Sequence, residues 1–296
     1  MSGSYQHTVA SAVICSGVGL HSGDRVRLTV RPAPASAGII FVRTDLHGID
    51  NRVPVKAEAA QTPELCTVMA NAAGVTVSTI EHLMAALAAV AIDNAVVELD
   101  GPEVPIMDGS SAPFLQLLDR AGRRRQEARR AYIEILEPIE VFCGQKRAAL
   151  TPSNAFEVAF EINFPSAVIG RQRVDLKVDE ASFRRELADC RTFGFMKDVE
   201  ALRARGLARG GSMDNAVVID GDIVLNPEGL RRRDEFVRHK ALDAVGDLYV
   251  LGAPILGRFE GLYSGHALNI RLAREVLARP EAWRLRVMAD EMAEAV

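Results

Sequence analysis

In "FEVAFEINF", residues 156–164, apolar and polar side chains alternate without a break, so that Phe156, Val158, Phe160, Ile162 and Phe164 share one side. A period of two belongs to a strand, and a strand with one apolar face needs neighbours and a covering layer. The second half of the chain is thereby committed to a sheet. The first half makes the same commitment. "GVGLHSGDRVRLTVRPAPASAGIIFVR" carries alternating Val26, Leu28 and Val30, a turn rich in proline and alanine, then Ile39 to Val42, which reads as paired strands.

Helices follow the strands in each half. The spacing predicts a helix over Thr79 to Val90, entered through Ser78, then a strand at "NAVVELDG", a loop "PEVPIMDGSSAP" and a helix "FLQLLDRAG". Later come a helix over 234–251, a strand at "ILGRFEGLYS" and a last helix at "HALNIRLAREVL". The pattern is α+β, and an ancient duplication would account for its recurrence. Between the halves, "DRAGRRRQEARRAY" (119–132) is rich in arginine and has no apolar period. It is expected to be a solvated linker with helical ends, centred on 126–131 and separating a domain over 1–125 from one over 132–296; phosphate or membrane-surface binding is the alternative for its arginines.

A formal net charge of −4 argues against a nucleic-acid partner, because neutralising phosphates takes a basic surface. "MSGSYQHTVASAVICSGVGL" has no basic segment leading into an apolar run, so no secretory signal is expected. The longest apolar run, Leu83 to Ile92, is too short to span a bilayer. Cys15, Cys66, Cys143 and Cys190 are widely spaced with no CxxC pair, the usage of free thiols in a cytosolic protein.

"RHKALDAVGD" places His239, Asp243 and Asp247 at intervals of four, so on a helix they stack on one face and His239 and Asp243 can converge on one point. HxxxD is also common on plain surface helices. "STIEHLMAAL" adds Glu81 and His82 at the start of an apolar helix. A capping box between Ser78 and Glu81 would explain the glutamate without chemistry, but it leaves His82 unexplained. His82, His239 and Asp243 together would make an N/N/O zinc site with a fourth position open to water, and Glu81 beside it could act as the base. "YSGHALN" supplies His266, which in charged form would stabilise an oxyanion and protonate a leaving amine, with Asp247 holding it charged; otherwise it is a solvated loop histidine. Thr192 of "RTFGFM" offers a hydroxyl to the same oxyanion, or is simply a strand-end threonine.

The stretches "GVGLHSG", "STIEHLMAALAAVAIDNAVVELDGPEVPIMDGSSAPF", "RTFGFM", "LARGGSMDNAVVID", "FVRHKALDAVGDLYVLG" and "SGHALN" together resemble the UDP-3-O-acyl-N-acetylglucosamine deacetylases of Gram-negative lipid A synthesis. The resemblance runs from about Gly17 to the last helix. It implies one zinc per chain on His82, His239 and Asp243, with iron(II) as a competitor for the site in the cell. It further implies Glu81 as base, His266 as the protonated partner set by Asp247, Thr192 at the carbonyl oxygen, and release of acetate from UDP-3-O-[(3R)-3-hydroxyacyl]-N-acetylglucosamine. Two similar domains, each a sheet layered with helices, would enclose the site between them. A segment inserted near 193–220 would line a passage for the acyl chain with Phe193, Met196, Val199, Leu202, Ala208, Ala216 and Val218, residues that ordinary core would use equally well. Lys240 would contact the nucleotide diphosphate. Tyr263 stands where some relatives carry a basic residue, which leaves the other nucleotide contacts open. A cytosolic monomer making at most transient contact with the inner membrane is expected. The rival readings are an amidohydrolase for another acylated amine, and a non-catalytic binding protein that keeps the metal for structure; the latter has no use for Glu81 beside His82 together with His266.

Overall fold

The computed structural model describes residues 4–61 and 65–288, so residues 1–3, 62–64 and 289–296 of the two expected spans lie outside the described residues. The first half begins with β1 (Tyr5–Val9), β2 (Val13–Val18), β3 (Arg25–Pro32), β4 (Ile39–Arg43), β5 (Arg52–Pro54) and β6 (Ala60–Gln61). It continues through β7 (Val68–Ala70), β8 (Thr76–Ser78), α1 (Glu81–Ala89), β9 (Ala95–Leu99), α2 (Ala112–Ala121) and β10 (Arg123–Arg129). The second half runs β11 (Ala131–Ile135), β12 (Ile139–Cys143), β13 (Lys146–Thr151), β14 (Phe156–Asn163), β15 (Arg171–Lys177), α3 (Glu180–Glu186), β16 (Phe193–Phe195) and α4 (Met196–Ala204). It closes with β17 (Val217–Asp220), β18 (Ile223–Val224), α5 (Glu235–Leu248), β19 (Ile255–Leu262), α6 (His266–Ala278) and β20 (Trp283–Val287).

The architecture is α+β. One sheet has the order β2-β3-β9-β4-β5, and only its β4–β9 pair is parallel. Val30 faces Val97 across one ladder and Phe41 faces Val97 across the next, so three fully buried side chains form a row on the inner face. The other large sheet runs β12-β13-β19-β11-β20, with β14 also on β19 and β15 outside β14. Val158, Phe160 and Ile162 of β14 are buried as the alternation requires. A small sheet β16-β17-β18 carries α4.

The arginine-rich segment is helical only at its start, where 119–121 end α2; 123–129 form strand β10, antiparallel to β1, with Tyr5 opposite Arg129 and His7 opposite Arg125. A two-stranded ladder asks only for backbone donors and acceptors, so the arginine side chains can stay outside; two of them, Arg125 and Arg129, lie over the Tyr5 ring at 3.6 and 4.4 Å. Nor does α6 end the fold: "WRLRV" alternates, and as β20 it pairs with β11. All four cysteines are free. Among the described residues no helix is long and apolar enough to cross a membrane.

Two buried helices meet where the halves meet. α1 is apolar on all sides after its first two residues, which suits a helix with no solvent face. It packs against α5 at Gly246, where a methyl group would come within 2.0 Å of the Glu81 carbonyl oxygen. The missing side chain lets the two backbones approach closely enough for residues on α1 and α5 to share one site.

Candidate metal centre

The N-terminus of α1 is held by more than its own sequence. Thr79 has φ +56°, a strained conformation for a β-branched residue, and its hydroxyl donates to the buried Glu103 carboxylate at 2.9 Å. That carboxylate also accepts the backbone N–H groups of His21 and Ser22, each at 2.9 Å. The capping box is absent: Ile80 occupies the N-cap without a side-chain bond, and Ser78 donates to the Pro102 carbonyl. The Glu81 carboxylate instead turns inward, its Oε2 accepting the Thr67 N–H at 3.0 Å. Its other oxygen, Oε1, lies 4.0 Å from His266 Nε2.

His82, His239 and Asp243 are all buried, and their candidate ligand atoms lie within 4.8 Å of one another. His239 Nδ1 sits 3.0 Å from the Cys190 carbonyl oxygen. A carbonyl only accepts, so Nδ1 carries the proton and Nε2 presents its lone pair. Burial pushes the His239 pKa down to about 3, which keeps the ring neutral. That lone pair faces Asp243 Oδ1 at 3.3 Å, and His82 Nε2 faces the same oxygen at 3.5 Å. Oδ1 is buried and has no hydrogen-bond partner. A lone pair aimed at an orphaned carboxylate oxygen is repulsive unless a cation joins them, so the donor set fits a divalent metal with nitrogen and oxygen preference. Burial would raise the Asp243 carboxyl, but the cationic Lys240 and His266 beside it hold it well below the usual carboxylate range.

Beside this cluster another histidine is partnered through Nδ1. His266, first residue of α6, directs Nδ1 at both Asp247 oxygens, 3.1 and 3.0 Å away. Asp247 also accepts from Thr67 Oγ1 at 2.6 Å and Asn269 Nδ2 at 2.9 Å, and Ser264 donates to Asn269 Oδ1 at 2.6 Å. Burial would lower the His266 pKa; Asp247 first, then Asp243 and Glu81, overcome it and raise it to about 9. Nε2 then carries a proton facing Asp243 Oδ2 at 3.7 Å and Glu81 Oε1. Burial also raises the Glu81 pKa, which shifts this carboxylate toward proton acceptance.

The remaining sequence-derived residues are distributed as follows. Thr192 is tied at its backbone, donating to the Gly109 carbonyl and accepting from Val217, both at 2.8 Å. Lys240 donates to Asp243 Oδ2 at 2.9 Å and lies over the Phe193 ring. Phe193 stacks edge-on to Phe236 and Phe164, with centroids 5.0 and 5.7 Å apart, and stands 6.4 Å from the His239 ring. This aromatic wall leads from the histidine cluster to the small sheet. There Met196, Val199 and Leu202 lie on α4, none of them buried, and the half-buried Ala216, just ahead of β17, and Val218 within it flank the inward Val217. Ala208 has φ +52°, and its N–H points to His21 Nδ1 at 3.4 Å. Arg209 and Gly210 donate to the carbonyls of His21 and Leu20 at 3.2 and 3.0 Å, so the loop after α4 is fastened to "GVGLHSG" in the first half. A cavity of about 1000 Å³, lined by Ala88, Arg130, Tyr132, Phe156, Val245 and Tyr249 among others, opens at the far ends of α1 and α5 and holds none of these residues.

Sequence reasoning passed over Thr67, Asn269, Glu103, His21 and the Cys190 carbonyl. His21, Glu103 and Asn269 stand inside stretches quoted above without a role of their own there; Thr67 and the Cys190 carbonyl stand outside them and act through contacts with residues far away in the chain, which no local spacing reveals.

Residues 6–278 match the family model described as LpxC: UDP-3-O-acyl N-acetylglycosamine deacetylase. A UDP-3-O-acyl-N-acetylglucosamine deacetylase of Phenylobacterium zucineum (strain HLK1) is 66% identical over 292 residues, covering 99% of this chain and 100% of the relative. Its namesake in Shewanella sp. (strain W3-18-1) is 51% identical over 283 residues, 95% of this chain and 92% of the relative.

Proposed function

The chain belongs to the UDP-3-O-acyl-N-acetylglucosamine deacetylase family, and from that premise we propose how its own residues carry out the reaction. The protein is a hydrolase that removes the N-acetyl group of UDP-3-O-acyl-N-acetylglucosamine in lipid A biosynthesis. The observation that carries the mechanism is the orphaned Asp243 Oδ1, facing two histidine nitrogens with Glu81 and His266 alongside.

His82, His239 and Asp243 are the residues that would hold the metal; zinc suits them, and iron(II) competes according to supply. When bound, the metal supplies Lewis acidity and makes water easier to deprotonate. Glu81 takes the proton of the attacking water on Oε1, since Oε2 is engaged by Thr67. His266 enters protonated, with Nδ1–H on Asp247, and offers Nε2–H first to the developing oxyanion and then to the leaving amine. The Thr192 hydroxyl supports the same oxygen. Lys240 reaches from Asp243 toward the substrate phosphates, while Phe193, Met196, Val199, Leu202, Ala208, Ala216 and Val218 receive the hydroxyacyl chain. The two halves act as domains around this site. A cytoplasmic monomer that meets the inner membrane only transiently fits a substrate kept soluble by its nucleotide.

Deacetylation of UDP-3-O-acyl-N-acetylglucosamine, followed before and after chelation and again with substoichiometric zinc, tests this reading. Activity that vanishes and returns with zinc is expected. Metal bound at one per chain without acetate release would reject the substrate, and no bound metal would reject the ligand set.

A further inference from the structure

We infer that Thr67 is a positioning residue that sets the base and the acid of the reaction at a fixed separation. Resting on the roles proposed above for Glu81 and His266, the inference starts from one buried residue that bonds to both arms. Its N–H donates to Glu81 Oε2 at 3.0 Å, and its hydroxyl donates to Asp247 Oδ1 at 2.6 Å across 180 positions of sequence. The first bond turns Glu81 Oε1 toward the centre. The second holds the aspartate that orients His266. Thr67 also accepts the Ile80 N–H at 3.4 Å, so the residue that locates both groups is fastened to the start of α1 itself.

The chemistry gives the hydroxyl a direction. The buried Asp247 only accepts, so Thr67 Oγ1–H must donate to it and its lone pairs play no part in holding the aspartate. With Asn269 and His266 supplying the other donors, Asp247 has one orientation in which every donor is met, and that orientation aims His266 Nε2 at the space in front of Glu81. Without the hydroxyl, the carboxylate can rotate about the two remaining donors and carry the imidazole with it. Substrate binding needs neither motion; proton transfer needs both groups in place.

The test compares Thr67→Val, which keeps shape and backbone N–H but loses the hydroxyl, with Thr67→Ser, which keeps the hydroxyl. Both are assayed as zinc-loaded full chains on UDP-3-O-acyl-N-acetylglucosamine, beside the parent protein. The expected result is a kcat lowered about 10–100-fold in the valine variant, with KM and bound zinc unchanged, and restored to within about threefold by serine. A parental kcat in the valine variant, an equal loss in the serine variant, or a change confined to KM would each overturn the inference. If the valine protein does not fold, Thr67→Ala is read by the same criteria, and failure of both to fold while the serine protein is stable would make Thr67 structural and overturn it as well. A parent protein without deacetylase activity would instead reject the proposed function, so the two failures are distinguishable.

Discussion

The reaction centre and the segment from β16 to β18 lie at the two ends of one aromatic wall, yet they are built on opposite terms. At the centre, Glu81, His82, His239, Asp243, Asp247 and His266 are all buried, and Asp247 alone accepts from three residues, Thr67 ahead of α1 and His266 and Asn269 on α6. In the other region α4 has no buried residue, and Met196 is 42% exposed. Buried charge is tolerated only where every partner is in place, so the centre admits few arrangements of its side chains. An apolar surface has no such requirement and can vary in shape at small cost. On the proposed function, the chemistry falls to the closely constrained region and accommodation of the acyl chain to the exposed one.

Substitutions at the centre should be all-or-none. His239→Ala removes a proposed ligand and leaves Asp243 facing an open space; bound zinc should be lost and kcat/KM should fall on the order of 10³-fold or more, beyond the cost of a single oxyanion donor. Glu81→Gln keeps the Thr67 bond and the shape but cannot accept a proton. It should retain zinc, by metal analysis of the dialysed protein, while kcat falls roughly 10²–10⁴-fold. Retained activity in the glutamine variant would show that the base lies elsewhere.

These two residues also mark what could be read from sequence. His239 and Asp243 are four apart, and one helix brings them together whatever else the fold does. Glu81 was ambiguous, because a capping box uses the same spacing; the ambiguity disappears only when Thr67, brought back by the β6–β7 connection, claims the carboxylate. The strand in "FEVAFEINF" was legible since its partners lie within one sheet and period two has a single interpretation. The β10 strand was not, because its stability rests on a backbone ladder with β1 and on Tyr5, more than a hundred residues earlier. In the α4 segment Met196, Val199 and Leu202 recur at intervals of three, but the seating of the loop that follows rests on Arg209 and Gly210 docking on His21 and Leu20, far earlier in the chain.

Acidity distinguishes the two regions next. The His266 pKa is raised from its ordinary 6.5 to about 9, so the protonated ring stabilises the fold fully below pH 6.5, and that contribution disappears as pH rises through about 9. In metal-free protein, urea denaturation should show stability falling on the order of 3 kcal/mol across this window. His266→Gln should flatten the decline, whereas Met196→Gln on α4 should leave it unchanged. A decline of equal size in both variants would assign it to other groups.

Gly246→Ala probes how closely the two helices must approach. The added methyl would sit 2.0 Å from the Glu81 carbonyl oxygen and 3.1 Å from the Ala85 nitrogen, both backbone atoms that cannot rotate away. α1 and α5 must separate, at a cost of about 1–3 kcal/mol seen as a lower melting temperature. Because Glu81 and Asp243 ride on the separating helices, zinc affinity should fall along with kcat. A variant that melts earlier but binds zinc as the parent does would mean that the ligand set follows the helices without loss.

The smallest effect is expected where the surface is compliant. Leu202 is half-buried on α4, and it is held to its surroundings chiefly through its carbonyl, which accepts the Leu207 N–H at 2.8 Å. Leu202→Ala leaves that bond intact and opens no enclosed cavity, so stability should change by less than about 1 kcal/mol, well below the cost of truncating a fully buried leucine. If this side chain lines the acyl passage, the loss of its contacts falls on the substrate. KM should then rise a few-fold for a substrate with a long acyl chain and stay constant for one with a short chain, while kcat is unchanged for both, since the binding energy lost is the same in ground and transition states. A KM change independent of chain length would remove Leu202 from the passage. A change in kcat would mean more: that α4 and the reaction centre move together, and that the division between a rigid centre and a compliant passage does not hold.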